Sequence, residues 1–160
     1  MLKDKIIKTI IKNKKSINLE DYINICLYDK EGYYSKKNPI GNNGDFITSP
    51  EISQLFGEIL GIYIYLIWKN NFSSKFSLIE LGPGKATLIN DILRITKNFP
   101  DFFNNLNIIL IEKNSKFTIE QKQKLLNKNL KIKWIKDFKI SSKLPKIIYA
   151  NEFFDCLPIR

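Results

Sequence analysis

The chain is 160 residues long, 44% hydrophobic and carries a formal net charge of +10, enough apolar material to bury one ordinary core as one domain or as part of a larger protein. It contains no histidine, which excludes Ser-His-Asp triads, His-paired cysteine nucleophiles and His-based zinc sites; Cys26 and Cys156 lie too far apart for a zinc ribbon, so no metal is expected and a reducing compartment such as the bacterial cytoplasm fits. The positive charge is almost all lysine, scattered among Ile and Asn, which reads as a coding bias rather than as a face for nucleic acid.

In chain order, Leu2, Ile6, Ile7, Ile10 and Ile11 fall on one face of an opening helix with lysines opposite, the pattern of an amphipathic helix packed on a core. A second helix begins near Leu19 and gives way to a turn-rich loop holding Gly32, Pro39, Gly41 and Gly44. Tyr33, Tyr34 and Phe46 are placed to pin that loop. From Thr48 to Trp68 the sequence predicts one helix. Thr48 and Glu51 have capping-box spacing, Pro50 suits the first turn, and Ile52, Leu55, Phe56, Ile59, Tyr63 and Leu66 form the expected buried face. Its most apolar part, Ile59 to Trp68, is half of the roughly 20 residues that a membrane span needs, so no span is expected. The N-terminus also lacks the apolar core and cleavage site of a secretory signal.

From Phe76 onward apolar runs alternate with helical patterns. The reading is strand 76–81, a glycine turn, helix 87–98, loop 99–105, strand 107–114, helix 115–128, a short strand 131–135 and a strand 146–153. Such β-α-β order predicts an α/β fold. An N-terminal helical segment, 1–75, precedes the first half of a doubly wound Rossmann-like sheet of four parallel strands, 76–160.

The glycine turn, Glu80-Leu81-Gly82-Pro83-Gly84-Lys85-Ala86, decides the ligand class. A phosphate P-loop needs G-x-x-x-x-G-K-[ST], but Ile79 stands at the first glycine and Ala86 follows Lys85. A dinucleotide fingerprint needs a glycine where Thr87 stands. What remains is acid-x-Gly-x-Gly at the end of a first strand, which suits S-adenosylmethionine: the turn lies close under an uncharged sugar and an amino-acid moiety, and Glu80 either orders the turn or meets the ammonium. Glu112, ending the second strand, is placed to accept both ribose hydroxyls.

Three stretches, "PIGNNGDFITSPEISQLFGEILG" from Pro39 to Gly61, "IELGPGKATL" and "ANEFFDCLPIR", together resemble the MidA-like S-adenosylmethionine-dependent methyltransferases, whose mitochondrial members are arginine methyltransferases assisting respiratory complex I assembly. The resemblance covers nearly the whole chain. It implies that Gly82, Pro83 and Gly84 form the cofactor turn with Glu80 in support and Glu112 on the ribose. It also implies that the "GDF-TSPEIS" segment folds over the pocket as a lid, making Asp45, Phe46, Thr48 and Ser49 candidate pocket residues alongside the capping role of the last two. "NEFFD" would then form the substrate shelf: Asn151, Glu152 and Asp155 supply groups suited to a guanidinium, and Phe153 and Phe154 exclude water.

The resemblance further implies a protein substrate, a quinone-reductase subunit of complex I being the first to consider. The matrix is the expected location in a eukaryotic cell and the cytoplasm in a bacterial one. Ala86 stands where the family usually has a third glycine, and the family is much longer. The expectation is therefore a C-terminally truncated chain, prone to self-association or completed by a second polypeptide. Two other classes stand beside it: an inactive remnant or partner-binding module that keeps the fold, and a small basic nucleic-acid-binding domain.

Overall fold

The computed structural model describes every residue except 14, 37–43, 127–129 and 160, so Pro39, Gly41 and Arg160 of the motifs above lie outside the described residues. Contacts divide the chain into two compact units, residues 1–47 with 152–160, and residues 48–151. The cut expected at residue 75 followed the motifs. Packing instead groups the helical segment after residue 48 with the sheet, because its long helix shares a buried face with the first crossover helix.

The first unit holds α1 (Leu2–Lys12), α2 (Leu19–Ile23), which runs into a π-helical turn (Asn24–Tyr28), and α3 (Tyr33–Lys36). Asn18 caps α2 by accepting from the Asp21 amide at 2.7 Å. The expected apolar face of α1 is only partly used: Leu2, Ile6 and Ile10 are half-buried, whereas Ile7 and Ile11 are exposed. A helix with lysines close beside its stripe needs only a narrow seam to dock. The loop aromatics do pin their segment. Tyr34 stacks on Tyr28 at 5.6 Å, and Tyr33 meets Tyr34 and Phe46 edge-on at 5.3 and 6.2 Å. The Tyr28 hydroxyl donates to the Cys156 carbonyl at 2.6 Å and so ties the C-terminal segment into this unit.

The second unit opens with α4 (Ser49–Ile52) and α5 (Gln54–Asn71). The single helix expected from Thr48 is broken at Ser53, which is extended (φ −145, ψ 122) and caps α5 through its hydroxyl. The capping box is also absent: the Thr48 side chain makes no cap bond, and the Glu51 carboxylate instead accepts from the Thr87 hydroxyl. β1 (Phe76–Leu81), α6 (Thr87–Thr96), α7 (Pro100–Asn104), β2 (Leu106–Ile111), α8 (Ser115–Leu125), β3 (Ile132–Ile135) and β4 (Lys146–Ala150) follow. The predicted loop 99–105 thus contains a short helix, started by a proline whose missing amide costs nothing in a first turn. All strand pairs are parallel, in the order β3-β2-β1-β4. This is the predicted α/β architecture of four parallel strands.

Phe76 and Leu78 of β1 and Ile108 and Leu110 of β2 project into the main core with α5 and α6, where Trp68, Phe76 and Phe102 pack ring to ring. The opposite face carries a smaller cluster of Ile79, Ile109 and Ile111. An open cleft of about 560 Å³ at the amino ends of the strands, lined by Ser77, Asn107 and Lys133 among others, lies away from the glycine turn.

The face that α5 buries is not the one its periodicity predicts. Leu55, Phe56, Ile59, Tyr63 and Leu66 are exposed, as is Ile52 before the helix. The buried positions are Gly57, Gly61, Ile64 and Trp68. Glycines four residues apart remove the side chains from one stripe, and α6 settles into it: a Cβ on Gly57 would lie 2.5 Å from the Asp91 Cβ, and one on Gly61 would lie 2.6 Å from Ile95 Cγ2. Backbone approach at that distance lets dispersion contacts accumulate along the whole crossing, which outweighs burying the bulkier stripe.

Candidate functional site

The glycine turn follows β1 at the carboxyl edge of the sheet, where open α/β sheets bind ligands. Gly82 and Gly84 both adopt left-handed backbone, φ 62 and φ 51, a conformation glycine enters without steric cost. The Gly82 amide donates to the Ile111 carbonyl at 3.0 Å, locking the turn to the end of β2, and the Ala86 amide donates to the Pro83 carbonyl at 2.7 Å. Ala86 is itself left-handed (φ 57, ψ 29) and fully buried at the N-cap of α6. That explains why a glycine suits this place: an L-residue there costs about 1–2 kcal/mol. The methyl is nonetheless accommodated, because the core closes around it.

Glu80 points toward the helices and is only 3% exposed. Parallel register puts Tyr149 of β4 beside it, and the Tyr149 hydroxyl donates to Glu80 Oε2 at 3.0 Å. Burial drives the Glu80 carboxyl up to about 8, with the nearby Glu112 charge adding to the rise and the Tyr149 hydrogen bond opposing it. Burial likewise holds the Tyr149 phenol well above its usual value. A carboxyl held protonated beneath a turn is poised to ionise when a cation arrives.

Glu112, one residue beyond β2, is partly buried, and burial raises its carboxyl as well. Its Oε1 accepts from the Asn114 amide at 2.8 Å and its Oε2 from the Gln121 amide at 3.3 Å. Each carboxylate oxygen retains a second lone pair for a ligand hydroxyl. Gln121 is the residue that sequence reasoning missed. Fully buried on α8, it donates to the Gly84 carbonyl at 2.7 Å and accepts from the Trp134 indole at 3.0 Å. One amide therefore fixes the turn, Glu112 and β3 together. Nothing in a lysine-rich helix marked this glutamine as buried; only its place on the Phe117, Gln121, Leu125 stripe hinted at it.

A second polar group secures the start of α6. The Thr87 hydroxyl donates to Glu51 of α4 and accepts from the Lys124 ammonium at 2.8 Å, while Lys124 also reaches the Lys85 carbonyl at 3.2 Å. Desolvation lowers the Lys124 ammonium, although Glu51 and Asp91 favour its charge. The "TSPEIS" segment, with half-buried Thr48 and Ser49, is thereby fastened next to the glycine turn.

The remaining predicted residues divide between the units. Asn151, half-buried, follows β4 in the sheet unit; Glu152 and Asp155, both exposed, belong to the other. Glu152 is left-handed at φ 48, and Asp155 lies in a single 3-10 turn, Phe154–Cys156. In that same unit the Tyr33 hydroxyl donates to the Asp45 carboxylate at 2.6 Å, and Phe46 is exposed. Among the described residues no group of three or more metal-ligating side chains gathers, and no helix is long and apolar enough to cross a membrane.

The left-handed glycines, the carboxyl beneath them and the acidic residue ending the next strand fit an adenosyl ligand rather than a phosphate, as the failed P-loop pattern requires. Comparison with known proteins agrees. A mitochondrial protein arginine methyltransferase of Bos taurus, NDUFAF7, is 34% identical over 94% of this chain and 40% of its own length. Its Drosophila melanogaster homolog is 51% identical over 42% of this chain and 16% of its own length. The chain thus spans about 40% of such relatives. A candidate methyl transferase of Burkholderia thailandensis, solved with S-adenosyl-homocysteine, superposes with a TM-score of 0.80 at 20% identity, covering 98% of this chain and 42% of that one, which establishes the shared fold. Residues 59–160 match the family model described as "Putative S-adenosyl-L-methionine-dependent methyltransferase", and the chain belongs to that family.

Proposed function

We propose that this chain is the cofactor-binding part of an S-adenosylmethionine-dependent protein-arginine methyltransferase. The observation that carries the reading is the Gly82-Pro83-Gly84 turn, left-handed at both glycines, set over a buried Glu80 and tied by Gln121 to Glu112. When bound, the cofactor supplies a methyl group activated by its sulfonium. The chain's own residues bind and orient. The glycine turn lies under the amino-acid and sugar moieties, Glu112 accepts from the ribose hydroxyls, and Glu80 orders the turn or faces the ammonium. Asp45, Phe46, Thr48 and Ser49 contribute the lid.

On the acceptor side, Glu152 holds a guanidinium through paired charge-assisted hydrogen bonds, and Asn151 or Asp155 directs its nitrogen. Phe153 and Phe154, with ring centroids 5.5 Å apart, would exclude water once a substrate covers them, Phe154 being 67% exposed here. The relatives named above favour arginine on a protein and a mitochondrial setting in a eukaryotic cell; the family resemblance makes a quinone-reductase subunit of complex I the first substrate to test and the matrix the place. Among the described residues β4 is an edge of the sheet, and an open edge of this kind can take a further strand.

The test is calorimetric binding of S-adenosylmethionine to the 160-residue chain and to Gly82→Val. Binding by the first and none by the second is expected. Equal affinity would overturn the assignment of the turn. Transfer of labelled methyl groups only to nucleic acid or a small molecule would remove the arginine acceptor.

A further inference from the structure

We infer that the outward face of α5 is a self-association surface, on which a second copy of this chain lays its own α5 antiparallel about a two-fold axis through Ile59. The helix is apolar all round, the signature of a helix buried on every side, yet α6 and the sheet take only its Gly57, Gly61, Ile64, Trp68 stripe. Leu55, Phe56, Ile59, Ile62, Tyr63 and Leu66 remain between 39% and 61% exposed. Leu55, Ile59, Ile62 and Leu66 follow the alternating four-and-three spacing of a coiled-coil seam.

Two observations select a second copy as the occupant. The first is symmetry. The exposed apolar positions 55, 56, 59, 62 and 63 map onto themselves when the helix is reversed about Ile59: Leu55 faces Tyr63, Phe56 faces Ile62, and Ile59 meets itself. An isologous contact requires that relation between residues i and j, and the helical repeat of this face supplies it. The second is area and charge. At about 200 Å² per fully exposed side chain the six residues offer roughly 600 Å² on each copy, or about 1,200 Å² in the pair, the lower end of a specific interface. Between Leu55 and Trp68 the only charged residue is Glu58, which Arg94 already holds at 3.0 Å. A core without free charge is what distinguishes interfaces from ordinary surface, here on a chain whose net charge of +10 would otherwise keep copies apart.

Sedimentation of the 160-residue chain over a concentration series tests this directly. A reversible dimer is expected, and Ile59→Lys should raise its dissociation constant at least about 100-fold, the effect of a charge at the centre of an apolar interface, with circular dichroism unchanged because residue 59 is exposed. A monomer at all concentrations would overturn the inference. So would a dimer that survives Ile59→Lys but is abolished by Ile148→Lys on β4, which would place association at the sheet edge. In a Cys26→Ser, Cys156→Ser background, Ile59→Cys should form an intermolecular disulfide rapidly. Leu55→Cys, which faces Tyr63 of the second copy, should not. Equal cross-linking at both positions would refute the two-fold arrangement.

Discussion

Replacing Glu80 with glutamine isolates the consequence of burying a carboxyl under the glycine turn. Below about pH 4.5 the carboxyl is protonated in both folded and unfolded chains and makes no pH-dependent contribution. As pH rises, the unfolded chain releases its proton near the model value of 4.5, while the folded chain keeps it up to about 8. The folded state then binds the extra proton, so stability falls with pH by about 1.4 kcal/mol per unit. Over the whole window the loss approaches about 5 kcal/mol, which is the upper limit for a group this deeply buried. The glutamine side chain has no proton to lose, and its amide oxygen still accepts from Tyr149. Glu80→Gln should therefore match the parent at pH 4.5 and exceed it by about 3–5 kcal/mol at pH 8.5, read from urea midpoints at the two pH values. If Glu80 faces the cofactor's ammonium, as proposed, binding should release a proton between pH 5 and 8, detectable by calorimetry in buffers of different ionisation enthalpy. A stability difference that stays constant from pH 4.5 to 8.5 would refute the buried, protonated carboxyl.

Gly57→Ala should lower stability by about 1–2 kcal/mol, because displacing Asp91 costs more than the roughly 1 kcal/mol that alanine gains in helix propensity; a rise in the urea midpoint would show that α5 and α6 pack less closely. Gln121→Leu leaves the Gly84 carbonyl and the Trp134 indole without partners and should cost about 1–3 kcal/mol in stability. It should also weaken S-adenosylmethionine binding, measured by calorimetry, since the turn is no longer tied to Glu112. Glu112→Ala should reduce that affinity by about 1.5–3 kcal/mol, the scale of hydrogen bonds to a charged group, and an unchanged affinity would move the ribose site elsewhere.

Local pattern in the sequence determined the β-α-β order, the parallel sheet and the position of the glycine turn, because strand and helix periods and glycine spacing are properties of neighbouring residues. It also placed Glu80 and Glu112 at strand ends, since both follow from where an apolar run stops. What α5 buries was not legible in the same way. Its periodicity marked the bulky stripe of Leu55, Ile59 and Tyr63, and only the fit of Asp91 and Ile95 against Gly57 and Gly61 selected the other. Nor could local pattern reveal that Gln121 reaches a carbonyl 37 residues away, that Glu51 leaves its capping box for Thr87, or that Tyr149 covers Glu80. Each of these is a choice between a local partner and a distant one. Such a choice is settled only when the crossover helices bring the distant group within hydrogen-bond reach and out of water, where the bond left unmade would cost most.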